Sequence, residues 1–342
     1  ISGVAVVAQL PVATSSSLGI VKPDNSTITI SGGVLSAVAG GSSLQPIPSY
    51  AVLRAGSPVA ATVTVFVQGR TASTEQGSGL FTLDTTDTTS ADNDGTILVE
   101  AAGMRWKRQY TGGLWADWFG LSTTNTSAAN DTALAEAVSA LPKFSGTAPT
   151  GILNIPAGNF LFTSFVIDNA VGLKVQGVSG GRANTVLTCD GASCVKARSM
   201  FDSQLIDLEI DATTNVPAGT FLIDTQHAPS SSSDTRQFFI RNVTLDGNGS
   251  ASGGSYQVRG INALAVSSLY IEDSTFLRLI SGITGQSTGA PSSTNYSNNV
   301  RITNSGFSAM MGFPIVNPGQ NWTIAGGYTQ VFGPGSGFLT DG

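Results

Sequence analysis

Phe238-Phe239-Ile240-Arg241-Asn242-Val243-Thr244-Leu245 is followed 31 residues later by Leu269-Tyr270-Ile271-Glu272-Asp273-Ser274-Thr275-Phe276, and after the same interval by Val300-Arg301-Ile302-Thr303-Asn304-Ser305-Gly306-Phe307. Each stretch alternates apolar and polar residues, turns at an Asn or Asp, and regains an apolar residue three positions later. Leu173-x-Val175-x-Gly177 and Trp322-x-Ile324-x-Gly326-x-Tyr328 match the first half. Leu205-x-Asp207-x-x-Ile210 keeps the core positions but has Ser203 where its siblings are apolar. With Val175, Leu205, Ile240, Ile271, Ile302 and Ile324 as register marks, the spacings are 30, 35, 31, 31 and 22 residues. Period-two alternation followed by a sharp corner, repeated at this interval, is the pattern of a solenoid. A parallel β-helix is therefore expected in the second half. Its coils would stack at about 4.8 Å with Ile240, Ile271 and Ile302 inside. Asp207, Asn242, Asp273 and Asn304 fall on one corner, where hydrogen bonding along the stack gives them a structural role.

Composition agrees with a rigid, strand-rich protein. Charged residues make up only 11% of the chain and 41 of its 342 residues are glycine. Ser, Thr and Asn are abundant and favour strands and turns over helices. The net charge of −6 argues against a nucleic-acid partner, which needs a basic surface to displace counterions. No apolar run reaches membrane-spanning length, so no membrane insertion is expected. Cys189 and Cys194 flank Asp190-Gly191-Ala192-Ser193; reduced and locally paired states both remain open, with no function assigned to either. Two thiols with one distant histidine, His227, cannot build a structural zinc site, and neither metal nor cofactor is expected. The first residue is Ile1, and an N-terminus trimmed from a longer protein is expected.

Three segments are distinguished. Residues 1–49 hold short apolar strands broken by Pro, Ser and Gly, with too little apolar mass to fold singly. Val4, Val6, Leu10, Leu18, Ile20 and Val34 are expected to be buried against other copies of the chain. The string Gln9-Leu10-Pro11-Val12 through Val21-Lys22 resembles the repeat modules in the shafts of trimeric bacteriophage tail fibres. Ser42–Ser49 reads as a linker. Residues 50–114 alternate as a β-rich neck. Its pieces Gly77–Asp84, Ala91–Ile97 and Gly103–Arg108 resemble the neck of phage tailspikes, and Arg105, Lys107 and Arg108 around Trp106 read as a charged strand face. In residues 115–342, Trp118-Phe119-Gly120, the polar stretch to Asn130-Asp131-Thr132, and Ile152–Phe160 resemble the opening of the pectate-lyase-like tailspike β-helix. Ser122–Ala129 departs from that pattern, which has Gly-Asp-Gly before the helix. Leu134, Ala137, Val138 and Leu141 form one apolar stripe, predicting a short helix near 130–141 that is capped by Asn130 or Ser127 and seals the solenoid's open end. The expected fold class is thus mainly β: a right-handed parallel β-helix preceded by a β-rich neck and a short-strand trimeric shaft, with one capping helix.

Any chemistry falls to carboxylates. A Ser-His-Asp triad is improbable with His227 in a Pro/Ser-rich loop, and Gly333-x-Gly335-x-Gly337 lacks the helix a phosphate cradle needs. Residues 202–273 carry nine acidic residues against Arg236, Arg241 and Arg259, which equals the whole net charge of −6. Alternation places Glu209 and Asp211 outward, and the repeat sets Asp246 beside Asp211 on the next coil. Separations of about 5–7 Å follow from strand and coil spacing, in the range of carboxylate pairs that cleave glycosides. Arg241 or Arg259 would supply the cation that a base-driven elimination needs, and Arg241 also faces Glu272 one coil away. Tyr256, Tyr270 and Tyr296 offer ring faces to sugars, so the candidate site is Glu209, Asp211 and Asp246 as catalytic groups with Arg241, Arg259 and Tyr270 binding substrate. The alternative for the acids is turn-forming Asp on a solvated face.

The resemblance to phage tailspikes implies a homotrimeric virion tail component, joined to other tail proteins through its N-terminal region. It also implies recognition of bacterial surface polysaccharide, often with depolymerisation by hydrolysis or β-elimination. Two other classes stand beside it: a purely structural or adhesive fibre, and a cellular pectate-lyase-like enzyme, which residues 4–37 disfavour. The catalytic coils of a longer protein could also lie past Gly342.

Overall fold

The computed structural model describes residues 28–31, 34–37, 45–56, 64–72, 76–178, 184–192, 194–229, 231–248, 257–285, 297–316, 319–331 and 338–339. Val4, Val6, Leu10, Leu18, Ile20, Tyr256, Tyr296 and the Gly333–Gly337 run lie outside them. Residues 1–45 form one unit and 46–342 another. In the first, Ile28–Ser31 pairs antiparallel with Val34–Ala37.

The second unit begins with a five-stranded sheet in the order Gln45–Ile47, Thr64–Val67, Gly79–Asp84, Arg105–Gln109 and Ile97–Val99. The stretch expected as a linker thus supplies an edge strand, where Pro46 lacks only a donor that an edge can spare. A short helix, Tyr50–Arg54, follows with Ser49 at its N-cap, in addition to the one helix that the apolar stripe predicts. Ile47, Tyr50, Leu53, Val65, Val67, Phe81, Leu98 and Trp106 form the core of this layer. Arg108 is not on a charged outer face. It alternates in step with Trp106 and is 5% exposed. It donates to the carbonyls of Gly95 (3.0 Å), Ser78 (2.8 Å) and Gly77 (2.6 Å) and to the Tyr50 hydroxyl. Its guanidinium also lies over Phe81 and Trp118, 4.6 and 4.4 Å from their ring centres, so it ties the neck to the start of the solenoid.

From Leu114 onward the chain winds as a parallel β-helix with three sheets of eight, seven and seven strands. In the first sheet, Leu153, Val175, Leu205, Ile240, Ile271, Ile302 and Ile324 are successive register partners, as the repeat requires. In the second sheet, Phe160, Leu187, Ile210, Leu245, Phe276 and Phe307 run in register, and the Phe276 and Phe307 rings stack at 4.6 Å. Burying one such side chain contributes about 1.5–3 kcal/mol, and each coil supplies several. Ser203 fits the inward row because its hydroxyl donates to Phe201 O (2.9 Å) and accepts from Leu173 N (3.2 Å).

The corner between the first two sheets requires a left-handed backbone: Asp207, Asn242, Asp273 and Asn304 have φ of 58°, 49°, 50° and 48°. Asn and Asp tolerate that region better than other residues with a Cβ. Asn242 Nδ2 donates to Asp207 Oδ1 (2.7 Å) and Asn304 Nδ2 to Asp273 Oδ1 (2.6 Å), so the ladder expected on this corner is present.

The longer helix runs from Ser127 to Ala140 and packs against Ala116–Phe119 and the strands Gly158–Phe162 and Phe165–Asp168. Ala133, Leu134, Ala137 and Leu141 are buried in the solenoid core. Its N-cap is Thr126, whose hydroxyl accepts from Ala129 N (3.4 Å), not Asn130 or Ser127. Asn130 lies inside the helix, fully buried, where Nδ2 donates to Ser122 O and Leu161 O and Oδ1 accepts from Ser122 N. Cys189 and Cys194 form a disulfide where the second sheet passes into the third.

Candidate functional site

The second sheet brings the acidic residues together. In Glu209–Ala212, Ile210 and Ala212 are buried, leaving Glu209 and Asp211 half-buried on the outer side. Asp211 is the register partner of Asp246 on the next coil. One coil further, Arg278 follows the strand Thr275–Leu277 with φ of 52° and reaches back to Asp246. Its Nε lies 2.7 Å from Asp246 Oδ1 and its Nη2 bonds Oδ2. This bidentate pair accounts for a carboxylate only 2% exposed.

Glu209, Asp211 and Asp246 each present an oxygen within 4.8 Å of the other two. Asp211 bears the consequence. Burial first, then the charge of Glu209, a hydrogen bond between those two carboxyls, and the charge of Asp246 push Asp211 up to about 8, with Arg278 opposing. Asp211 Oδ1 is enclosed without a hydrogen-bond partner. The cluster therefore holds a proton at neutral pH beside an ion-paired carboxylate, an arrangement able to donate a proton to a leaving oxygen. Among the described residues it is also the set whose oxygens converge closely enough to ligate a cation. One bound proton and Arg278 cancel two of its three charges, which weakens its pull on a metal.

The other expected residues lie elsewhere. Arg241 is on the first sheet, with Nε 2.8 Å from Glu272 Oε2 and its guanidinium 4.7 Å from the Phe239 ring centre. Nε is poorly aimed for a hydrogen bond, so the contact is an ion pair, as the register suggested. Tyr270 stacks on Phe239 at 4.8 Å and 15°, forming with Arg241 an aromatic strip that includes Phe239, a residue the sequence reading did not single out. Arg259 is on the third sheet, over Phe221 at 5.4 Å. Arg241 and Arg259 are thus not the cations of the acid cluster; Arg278 is. His227 Nε2 is 3.0 Å from Asp234 Oδ1, while Ser267 Oγ donates to Asp234 Oδ2 at 2.7 Å. Both groups bond the carboxylate, so this trio lacks a serine activated by histidine.

Fold and site together define a β-helix entered through a small antiparallel sheet, with a protonated acid cluster on its second face. Residues 46–111 match the family described as the phage tail protein small four-stranded β-sheet domain. The tailspike protein of Acinetobacter phage vB_ApiP_P1 superposes with a TM-score of 0.53 and 15% identity, over 86% of this chain and 53% of that one. Tailspike protein 2 of Escherichia coli O157:H7 bacteriophage CAB120 gives 0.51 and 17%, over 90% and 43%. The chain resembles phage tailspikes in fold and spans about half the length of those it matches. No curated protein sequence matches it.

Proposed function

We propose that the chain is a virion tail component of tailspike type that binds a host-surface polysaccharide and hydrolyses it at Glu209, Asp211 and Asp246. The observation that carries the reading is the convergence of three carboxyl groups within 4.8 Å of one another on one outward face, where burial and the neighbouring acids push Asp211 up to about 8. Asp211 is the acid toward the glycosidic oxygen, half-buried Glu209 is the nucleophile or base, and Asp246, locked by Arg278, stabilises charge and keeps Asp211 protonated. Carboxyl oxygens all within 4.8 Å of one another leave no room between acid and base for the water that inverting glycosidases hold across roughly 6.5–9.5 Å. Hydrolysis is favoured over elimination because the local cation is committed to Asp246. Substrate extends across the strip of Phe239, Tyr270 and Arg241, and three copies assemble in parallel through the N-terminal shaft, which also meets other tail proteins. The proposed shaft lies before the edge strand Gln45–Ile47, the neck runs from that strand to 114, and 115–342 is the proposed recognition segment.

An adhesive fibre is the second reading, favoured by that aromatic strip, which needs no catalyst to hold sugar rings. Incubating the chain with the host's surface polysaccharide and following chain length and new reducing ends decides between them. Cleavage lost in both Asp211→Asn and Asp246→Asn, with the trimer intact by light scattering, supports hydrolysis here. Retained cleavage in both moves the site, unsaturated products indicate elimination, and an inert wild type selects adhesion.

A further inference from the structure

On the outer side of the first sheet, two adjacent rows of side chains behave differently. In one, Gln176 Nε2 donates to Asn154 Oδ1 at 2.7 Å and Arg241 pairs with Glu272 at 2.8 Å, so its polar ends engage one another. The other row is Lys174, Gln204, Phe239, Tyr270 and Arg301, register partners on five successive coils. Among the described residues, none of the polar ends of Lys174, Gln204, Tyr270 and Arg301 has a hydrogen-bond or ion-pair partner. Lys174, Gln204, Phe239 and Tyr270 are half-buried and Arg301 is exposed. The row therefore reads cation, amide, two stacked rings, cation. Four coil steps of about 4.8 Å put its two cations roughly 19 Å apart. Elsewhere the chain commits its cations: Arg54, Arg70, Lys107, Arg198 and Arg278 each hold a carboxylate.

We propose that this row is the docking track for an acidic polysaccharide, whose carboxylates meet Lys174 and Arg301 while the sugar units between them rest against Phe239 and Tyr270. The inference rests on the polysaccharide reading above and names the class of glycan. Charge complementarity carries it. The whole chain has a net charge of −6, so a polyanion is repelled by most of its surface. The two rows carry Lys174, Arg241 and Arg301 against Glu272, or 3 − 1 = +2, and a local field of the opposite sign selects where such a polymer can lie. A small anion engages one cation only, because the two are too far apart for a single ligand of that size. A neutral glycan leaves both cations idle. The row lies across the Asn242 corner from the acid cluster. That cluster keeps one net negative charge after the Asp211 proton and Arg278 are counted. It therefore disfavours a carboxylate in its own position, so the acidic units lie on the first sheet and the unit placed for cleavage is a neutral one.

Biolayer interferometry of the full chain on polygalacturonate and hyaluronate, with dextran and pullulan as neutral counterparts, tests this at about 10 mM and about 0.1 M salt. Over that range the screening length falls from roughly 30 to roughly 10 Å, from longer than the roughly 19 Å track to shorter. At least one acidic polymer is expected to bind, with both neutral ones at least roughly tenfold weaker. Its affinity should drop several-fold at the higher salt. Lys174→Gln and Arg301→Gln should each weaken it roughly threefold, and the double variant roughly tenfold. Lys196→Gln, which removes a cation from the third sheet, should leave it unchanged. Neither Lys174 nor Arg301 is buried, so these variants keep the fold, which melting curves check. Neutral polymers bound as tightly as acidic ones, silence of both acidic polymers, or acidic binding untouched in the double variant would each overturn the inference. The polysaccharide reading would survive all three, and falls only if the host's own polysaccharide is neither bound nor cleaved. Salt-sensitive self-association that the double variant loses, without polymer binding, would give this face to a second copy of the chain and overturn the inference too.

Discussion

Replacing Asp211 with Asn should stabilise the protein, and increasingly so as pH rises. In the folded chain the carboxyl titrates at about 8 against an ordinary 3.8. The folded state therefore binds the proton more tightly than the unfolded state. An acid shifted upward in this way subtracts stability progressively from about pH 4 to about pH 8, after which the loss levels off. At 1.36 kcal/mol per pH unit, the part of that loss falling above about pH 5, roughly three units, amounts to about 4 kcal/mol by pH 9. Asp211 is only half-buried, so solvent screening reduces this to roughly 1–2 kcal/mol. Asn has the shape of the protonated acid, keeps a donor for Glu209 and cannot ionise. The melting temperature of Asp211→Asn should thus exceed the wild type's by an increment that grows about 2–3 °C from pH 5 to pH 9. Differential scanning calorimetry of both proteins across that range gives the comparison. Parallel curves, or a variant less stable at pH 9, would refute the idea that crowding and burial hold a proton on this cluster.

Depolymerisation, if the cluster performs it, should decline as pH passes upward through about 8, because the acid is then ionised; a rate that climbs above pH 8 would contradict that role. Arg278→Ala strands Asp246 as an uncompensated buried charge and should cost about 3–5 kcal/mol, with Asp246→Asn restoring most of the loss in the double variant. Ile271→Asp places a charge between stacked coils and should prevent or severely weaken folding, whereas Glu272→Ala forfeits a partly exposed ion pair worth under about 1 kcal/mol; equal thermal shifts would mean the inward and outward rows are misassigned. Arg108→Lys should destabilise the neck by about 2 kcal/mol or more, since an ammonium cannot serve three carbonyls and two ring faces together, and an unchanged melting curve would count against that account.

The solenoid was legible because its information is local and repeated. Ile240, Ile271 and Ile302 recur at a fixed interval, and the Asn or Asp after each strand marks a backbone conformation few residues accept. The same register brought Asp211 to Asp246 and Arg241 to Glu272. Arg278 was missed because it sits on a left-handed corner past its strand, and nothing in linear spacing shows its side chain turning back a coil to Asp246. Arg108 was misread by its charge. Alternation with Trp106 pointed inward, but the carbonyls of Gly77, Ser78 and Gly95 that satisfy it come from distant turns. Asn130 looked like a cap from its position before the apolar stripe; Thr126 takes that role, and the amide is needed to pin the preceding loop to the first coil.

The register partners that stack through the first sheet lie 22 to 39 residues apart at every level. Lengthening such an array adds contacts without adding sequence separation between them, so the entropy of closing each new coil stays nearly constant however long the chain becomes. Assembly then resembles a zipper: one coil must form at full cost, and each successor closes against a template already in place. The helix Ser127–Ala140, whose own hydrogen bonds span four residues, packs on Ala116–Phe119 and on the strands Gly158–Phe162 and Phe165–Asp168, so it offers the first coil a locally formed element to close against. That makes the helical end the place where winding would start and, under pulling or heat, the last to come apart.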